Sequence, residues 1–333
     1  MISLKDVAIR CNVSIATVSK ALNGHSDISP ATRELVMNTA RELGYHPNSS
    51  ARALKTNRTY NLGVLFMDES LNGLTHDYFS HVLDGFRVYS ESKGYDITFI
   101  NTGSKDMSYL RHSQYRGFDG VVIACVDFRD PQVTELLESD IPIVTIDHAD
   151  KCRCSVLSDN KGGMSELVSF IHTMGHERIC YICGDDTSVT QDRLNGYYET
   201  LSRYDISPDG ENVLRSHYRN PEDTYRLTKS LLHQKNRPTC IIYPDDYSCI
   251  GGINAINEAG LRIPDDISIA GYDGLFLAKV LSPKLTTYEQ ASDTIGKTAA
   301  EKLIQLIDNP RNPVSECVIV PGRVIKGESV KEL

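Results

Sequence analysis

Apolar positions recur at helical spacing through the first 45 residues, and from Asn61 onward they gather into short solid runs separated by amphipathic stretches. Leu4, Val7, Ala8 and Cys11 predict a first helix, opened by the Ser-x-x-acid form of Ser3-Leu4-Lys5-Asp6. Asn12 and Val13 break it. Ser14 caps a second helix, Ile15 to Leu22, with Val18, Ala21 and Leu22 turned inward and Asn23-Gly24 as its stop. A third runs from Ser29-Pro30 through Leu35, Val36, Ala40 and Leu43 to Gly44. This is the outline of a helix-turn-helix module, although any small helical bundle shares it. The second helix carries small residues, Ala16, Thr17 and Ser19, beside Lys20. Short side chains let a helix approach base edges in the major groove.

After the head, strand-like runs (NLGVLF, DITFI, GVVIAC, PIVTID, ICYICG, TCIIY, ISIAGYD) alternate with helical stretches. The latter include Tyr78–Lys93, Lys161–Met174, Asp192–Tyr204, Glu222–Gln234 and Tyr247–Ala259. Solid apolar strands between helices predict an α/β body with buried parallel sheets. So many strands suit two sheets, with a break near Ser158-Asp159-Asn160. Ligands in such folds bind beyond the carboxyl ends of the strands.

Charge separates head from body. Residues 1–58 hold eight Lys/Arg and four Asp/Glu, whereas the whole chain is −9. A basic head on an acidic body suits phosphate binding by one end alone. In the connecting segment HPNSSARALKTNRT, Pro47 ends the third helix and Asn48 caps a short one, Ser49 to Lys55. Such a helix is too short to persist alone in water, so it reads as a hinge that orders on DNA. Leu54, apolar among Arg52, Lys55 and Arg58, is either a wedge between base steps or an anchor on the body.

Composition narrows the rest. The nine cysteines are an odd number, which fits a reducing compartment. Cys180 and Cys183 lie three apart in a strand-like run and so face opposite ways. No metal site and no cofactor are expected. The chain has no long apolar run and no leader ahead of the first helix, so a cytoplasmic protein without membrane attachment is expected.

Polar residues at strand ends are the candidate ligand contacts: Asp147, Arg193, Asp245 and Asp273, with Asp246 expected to cap the helix after it. Carboxylates accept from vicinal hydroxyls and a guanidinium donates to ring oxygens, which suits a polyhydroxylated effector. There is no tryptophan, so Tyr78, Phe79 and Tyr218 are the surfaces available to stack on a sugar's apolar face.

The head and hinge resemble those of the LacI/GalR family of bacterial transcription regulators through LKDVAIRCNVSIATVSKALNG, ISPATRELVMNTARELGYHPN and SSARALK. The body resembles the family's type I periplasmic-binding-protein-like sensor through SDNKGGMSELVSFIHTMGHERICYICG, QDRLNGYYETL, AINEAGLRIPDDISIAGYDG and LTTYEQ. The resemblance implies a head over 1–46, a hinge over 47–59 and an effector-binding, dimerising domain over 60–333. Its N-lobe takes about 60–158 and 291–321, its C-lobe about 160–288 and 324–333, and CVIVPGRVIKGES forms the last strand pair. It also implies that Ile15, Ala16 and Lys20 face bases and that Thr17, Ser19 and Asn23 lie near phosphates. Leu54 would pry open the centre of a pseudo-palindromic operator, with Ala51 and Lys55 in the same minor groove. In the cleft it points to Asp147, Arg193 and Asp273. Two departures stand out: Asp245 replaces the family's usual Asn, and the loop Asp68–Tyr78 is longer. That loop either brings His76 and Asp77 to the cleft entrance or is solvated.

The expected function is a homodimeric repressor whose operator affinity is set by a small carbohydrate effector. A nucleobase or a protein corepressor is the alternative effector. A sugar-acting enzyme is the competing class, but no Walker loop, G-x-G-x-x-G, G-x-S-x-G or H-E-x-x-H motif is present.

Overall fold

A computed structural model describes residues 2–22, 26–45, 58–67, 73–101, 107–207, 212–310 and 315–333. It divides into two units, Met1–Tyr60 and Asn61–Leu333. The first contains helices α1 (Leu4–Cys11), α2 (Ile15–Leu22) and α3 (Pro30–Leu43). Ser3 and Asp6 form a reciprocal capping box on α1, and Ser29 with Pro30 opens α3. The α2 cap comes from Ser14, whose Oγ accepts the Thr17 N–H at 3.0 Å. Val7, Ala8, Cys11, Val18, Ala21, Val36, Ala40 and Tyr45 form the core. Leu35, one of the apolar residues that mark α3, is 49% exposed. The buried stripe on α3 is Val36, Thr39 and Ala40, and Leu35 lies just beside it. The hinge residues Ala51, Leu54 and Lys55, together with Asn23, lie outside the described residues.

The second unit holds two six-stranded sheets of repeated design. The first is built from β1 (Asn61–Phe66), β2 (Asp96–Phe99), β3 (Gly120–Ala124), β4 (Ile143–Ile146), β5 (Cys154–Ser158) and β11 (Cys317–Val320), in the order β11-β5-β4-β3-β1-β2. All its pairings are parallel. The helices α4 (Asp77–Ser92), α5 (Tyr109–Arg116), α6 (Pro131–Leu137) and α12 (Ser292–Asp308) pack in this lobe. The second sheet is built from β6 (Ile179–Cys183), β7 (Val213–Arg215), β8 (Cys240–Ile242), β9 (Ser268–Asp273), β10 (Thr286–Glu289) and β12 (Arg323–Ile325), in the order β12-β10-β9-β8-β6-β7. Its connecting helices are α7 (Asn160–Thr173), α8 (Ser188–Arg203), α9 (Pro221–Leu232), α10 (Cys249–Glu258) and α11 (Phe276–Val280).

Both sheets follow the doubly wound order 2-1-3-4-5, so β4 and β9 occupy equivalent places. The chain passes between them three times: Ser158 to Asn160, Glu289 to Ser292, and Val320 to Arg323. The final two strands close one sheet each, as the lobe bounds of the sequence reading imply. β11 joins β5 in parallel, and β12 joins β10 antiparallel. A two-residue link at a lobe crossing delivers them to different sheets, where each finishes an edge.

Burial follows the apolar runs. Cys183 packs on the α7 and α8 side of its sheet and Cys180 on the opposite side, so the pair cannot share a ligand. Helices α4 and α12 meet closely through Gly296: a Cβ there would sit 1.8 Å from the Val82 carbonyl oxygen. Only glycine permits that approach.

Candidate DNA-reading head and effector cleft

The outward side of α2 has the chemistry a groove requires. Ile15, Ala16 and Lys20 are exposed, Thr17 and Ser19 half-buried, and Val18 and Ala21 lock the helix to the core beneath. Thr17 Oγ1 is tied to Ser14 Oγ at 2.8 Å. Lys20 is ion-paired with Asp27 on the way to α3, which fixes its direction.

The cleft is assembled from strand ends of both lobes. Asp147 follows β4 and Asp273 ends β9, the equivalent positions of the repeat. Each has a left-handed backbone, φ +55° and +100°. Such conformations are uncommon outside glycine and are tolerated best by Asp and Asn. They turn the chain sharply where the strand stops. Asp147 Oδ1 accepts the Ser158 N–H at 3.0 Å, and its Oδ2 accepts the Tyr78 hydroxyl at 2.7 Å. Asp273 Oδ1 accepts the Gln290 amide at 2.7 Å. Burial raises both carboxyls above their ordinary range, with the Arg193 guanidinium pulling each back. Asp273 rises to about 7.

Arg193, on α8, is 3% exposed and is held on every side. Its Nε donates to Asn160 Oδ1 at 2.8 Å and its Nη1 to the Pro244 carbonyl at 2.9 Å. Nη2 lies 3.9 Å from Asp273, and the guanidinium stacks 3.7 Å over the Tyr272 ring. A buried cation needs this much company. Tyr218 faces the same guanidinium at 5.7 Å, and its hydroxyl meets Thr190 Oγ1 at 2.7 Å. Gly184 makes room for it, since a Cβ there would lie 2.4 Å from the Tyr218 ring. On the other lobe Phe79 sits edge-on to Phe66, His76 and Tyr78.

Two aspartates behave differently from expectation. Asp245, not Asp246, caps the turn into α10: Oδ1 accepts the Ser248 N–H at 2.7 Å. Its Oδ2 accepts Ser248 Oγ–H and the Arg219 N–H, both at 2.8 Å. Three donors on two oxygens suit a carboxylate and exceed what an Asn side-chain oxygen serves well, which accounts for Asp where the family usually has Asn. Asp245 is 2% exposed, and these three donors hold its carboxylate in place. Asp246 is fully buried and accepts from Thr287 Oγ1 at 2.6 Å and from the Leu275 N–H at 2.7 Å, tying β9's exit to β10.

Sequence reasoning passed over Asn160, Gln290, Tyr272 and Arg219 as site residues. Asn160 and Gln290 are at the lobe crossings, and polar residues there were the available signal. Of the long loop, residues 68–72 are outside the described residues. Asp77, at its end, pairs with Arg219 Nη1 of the opposite lobe at 2.9 Å.

A helix-turn-helix head joined to a two-lobed body with a polar cleft defines a ligand-controlled DNA-binding regulator. Residues 3–48 match the model for bacterial regulatory proteins of the lacI family, and residues 168–330 match a periplasmic binding protein-like domain. The chain is 34% identical to the ribose operon repressor of Haemophilus influenzae and 30% identical to the HTH-type transcriptional repressor PurR of Vibrio vulnificus, across the full length of each. Among solved structures, the lac repressor dimer bound to operator and the anti-inducer ONPF superimposes with TM-score 0.82, at 24% identity over 99% of each chain. A LacI family regulator from Enterococcus faecium with bound ribose gives TM-score 0.70 and 26% identity, over 82% of this chain and 99% of that one. The chain belongs to the lacI family of bacterial regulatory proteins and is a DNA-binding transcriptional repressor, not an enzyme. Among the described residues no helix is long and apolar enough to cross a membrane.

Proposed function

We propose that the repressor acts as a homodimer on a pseudo-palindromic operator and that a neutral sugar or polyol in the interlobe cleft sets its operator affinity. The observation that carries the sugar reading is the matched pair of strand-end carboxylates, Asp147 and Asp273, one per lobe, both under the influence of the stacked Arg193. Carboxylates accept hydroxyl hydrogens, and Arg193 retains N–H groups for a ring oxygen. Tyr78, Phe79 and Tyr218 supply the apolar walls. Asp147, Asp273 and Asp77 in one cleft disfavour a phosphorylated ligand. The names of two relatives agree: one represses a ribose operon and another was solved with ribose bound.

On the DNA side, the reading places Ile15, Ala16 and Lys20 at base edges and Thr17, Ser19 and Asn23 at phosphates. Leu54 acts as the minor-groove wedge, flanked by Ala51 and Lys55. The test is thermal stabilisation by D-ribose, other pentoses and hexoses, polyols, uronic acids and purine bases, because a ligand selective for the folded state raises its stability by mass action. Stabilisation by a neutral sugar that also shifts operator titrations supports the proposal. A response confined to purine bases, or to none of the panel, overturns the sugar reading. Leu54→Ala is expected to weaken specific operator binding at least tenfold while sparing nonspecific binding, and unchanged operator affinity would remove the wedge.

A further inference from the structure

Arg219 lies in the C-lobe between β7 and α9, but its side chain ends on the N-lobe. Its Nη1 donates to Asp77 Oδ2 at 2.9 Å, and Nη2 approaches the Thr75 carbonyl at 3.5 Å. The side chain is only 10% exposed, and its guanidinium lies 4.9 Å over the Tyr247 ring. Its backbone is left-handed, φ +53°, and its N–H is held by Asp245 Oδ2 at 2.8 Å. A non-glycine residue in that conformation persists only when its surroundings impose it. Here the Asp245 bond and the aromatic stack do so, aiming a rigid planar donor across the cleft.

What the donor reaches is informative. Asp77 begins α4, and the next two residues are Tyr78 and Phe79. Tyr78 carries the hydrogen bond to Asp147. On the other side, Tyr218 immediately precedes Arg219 and faces Arg193. Thus one ion pair joins the segments that carry the aromatic walls of both lobes.

We infer that Arg219 is a positioning residue of the effector site: it clamps the first turn of α4 to the C-lobe and sets Tyr78 and Phe79 against the ligand. The clamp rests on the cleft being the effector site, as proposed above. Asp77 is half-exposed, so the pair's value lies in geometry rather than in bulk stability. Because it exists only when the lobes are close, it couples the shape of the site to lobe closure.

Hydrogen exchange on the full chain without ligand tests the clamp. Arg219→Ala is expected to speed exchange at least fivefold in the segment 76–83, where the Ser80 N–H bonds to the His76 carbonyl at 2.7 Å, and to leave β8 unaffected. Asp77→Ala should do the same, and the double variant should be no faster than either. Exchanging the charges, Asp77→Arg with Arg219→Asp, should restore slow exchange, which a merely structural loss would not allow. Unchanged exchange in Arg219→Ala, additive effects of the two alanines, or no recovery on charge exchange would overturn the clamp. D-Ribose is the ligand probe: both alanine variants should bind it at least fivefold more weakly than the unaltered chain. Equal affinity would overturn the positioning role. If the unaltered chain does not bind D-ribose, the affinity comparison is made with whichever sugar of the panel stabilises it, a blank panel overturns the sugar reading, and the exchange result still decides the clamp.

Discussion

Arg193 has the most exacting environment of any residue in the cleft, because its charge is buried and its partners were placed for it. Replacing it with Ala removes the cation but leaves Asn160 Oδ1 and the Pro244 carbonyl without their donor. Removing one member of a buried polar constellation costs about 3 kcal/mol. Arg193→Ala is therefore expected to lose about that much stability in urea titrations and to lose all sugar-induced stabilisation. Arg193→Lys should recover part of the stability and little of the binding, since a lysine cannot stack on Tyr272 while donating in a fork. Asp273 gives a pH signature. Its folded-state value of about 7 stands above the ordinary 3.8, so the folded protein keeps this proton longer than the unfolded chain. Its contribution to stability falls as pH rises from about 4 to 7, and the cost is fully present above that. A hydroxyl ligand needs the ionised carboxylate as acceptor. Affinity should thus rise about tenfold from pH 6 to pH 8, following the ionised fraction. Asp273→Asn should bind weakly and without that slope; a slope retained in the Asn variant would assign the titration elsewhere.

At the scale of elements, the legible parts of the sequence were those with a strong local period. The three head helices, the apolar strands and the helices between them are marked by spacing, caps and solid apolar runs, because each buries one stripe or two faces. Less legible were β5, β7 and β10, whose sequences CSVLS, VLR and TTYE are short or polar. Their place is fixed by neighbours in the sheet, which no local window contains. The same applies to Asn160, Gln290 and Arg219: each acts on a partner at least seventeen residues away, across a lobe or a crossing. The α4–α12 contact gives a test of this non-local packing. In a solvated helix, Gly→Ala gains about 1 kcal/mol. At Gly296 the new Cβ would fall 1.8 Å from the Val82 carbonyl oxygen, and overpacking costs about 1–3 kcal/mol. Because the contact is with backbone, the upper end applies and the overpacking outweighs the propensity. Gly296→Ala should lower stability by roughly 1–2 kcal/mol in denaturant titrations. A stabilised variant would mean that the two helices separate at little cost.

For the whole molecule, the repeat of the two lobes gives the proposed effector one matching contact in each lobe. Asp147 and Asp273 are the same position of the same topology, one in each lobe, and the chain crosses between the lobes three times. A ligand held by both has more contacts when the lobes approach, so it stabilises that arrangement by its difference in affinity for the two states and no more. Whatever factor separates its affinity for free and operator-bound repressor must then appear equally in operator affinity with and without it, because the coupling is one free energy read from two ends. With a sugar that lowers operator affinity thirtyfold, for instance, sugar affinity for the operator complex should be about thirtyfold weaker than for free protein, a coupling of about 2 kcal/mol. Calorimetric titration of the sugar into repressor with and without saturating operator measures this directly. Equal sugar affinities alongside a sugar-dependent operator affinity would mean that the titrated site is not the coupled one and would place the sugar's effect at another site. Asp147→Asn and Asp273→Asn sharpen the argument: each removes one lobe's grip, so both should shrink the coupling as well as the affinity. An exposed substitution such as Glu199→Gln on α8 should leave the coupling intact.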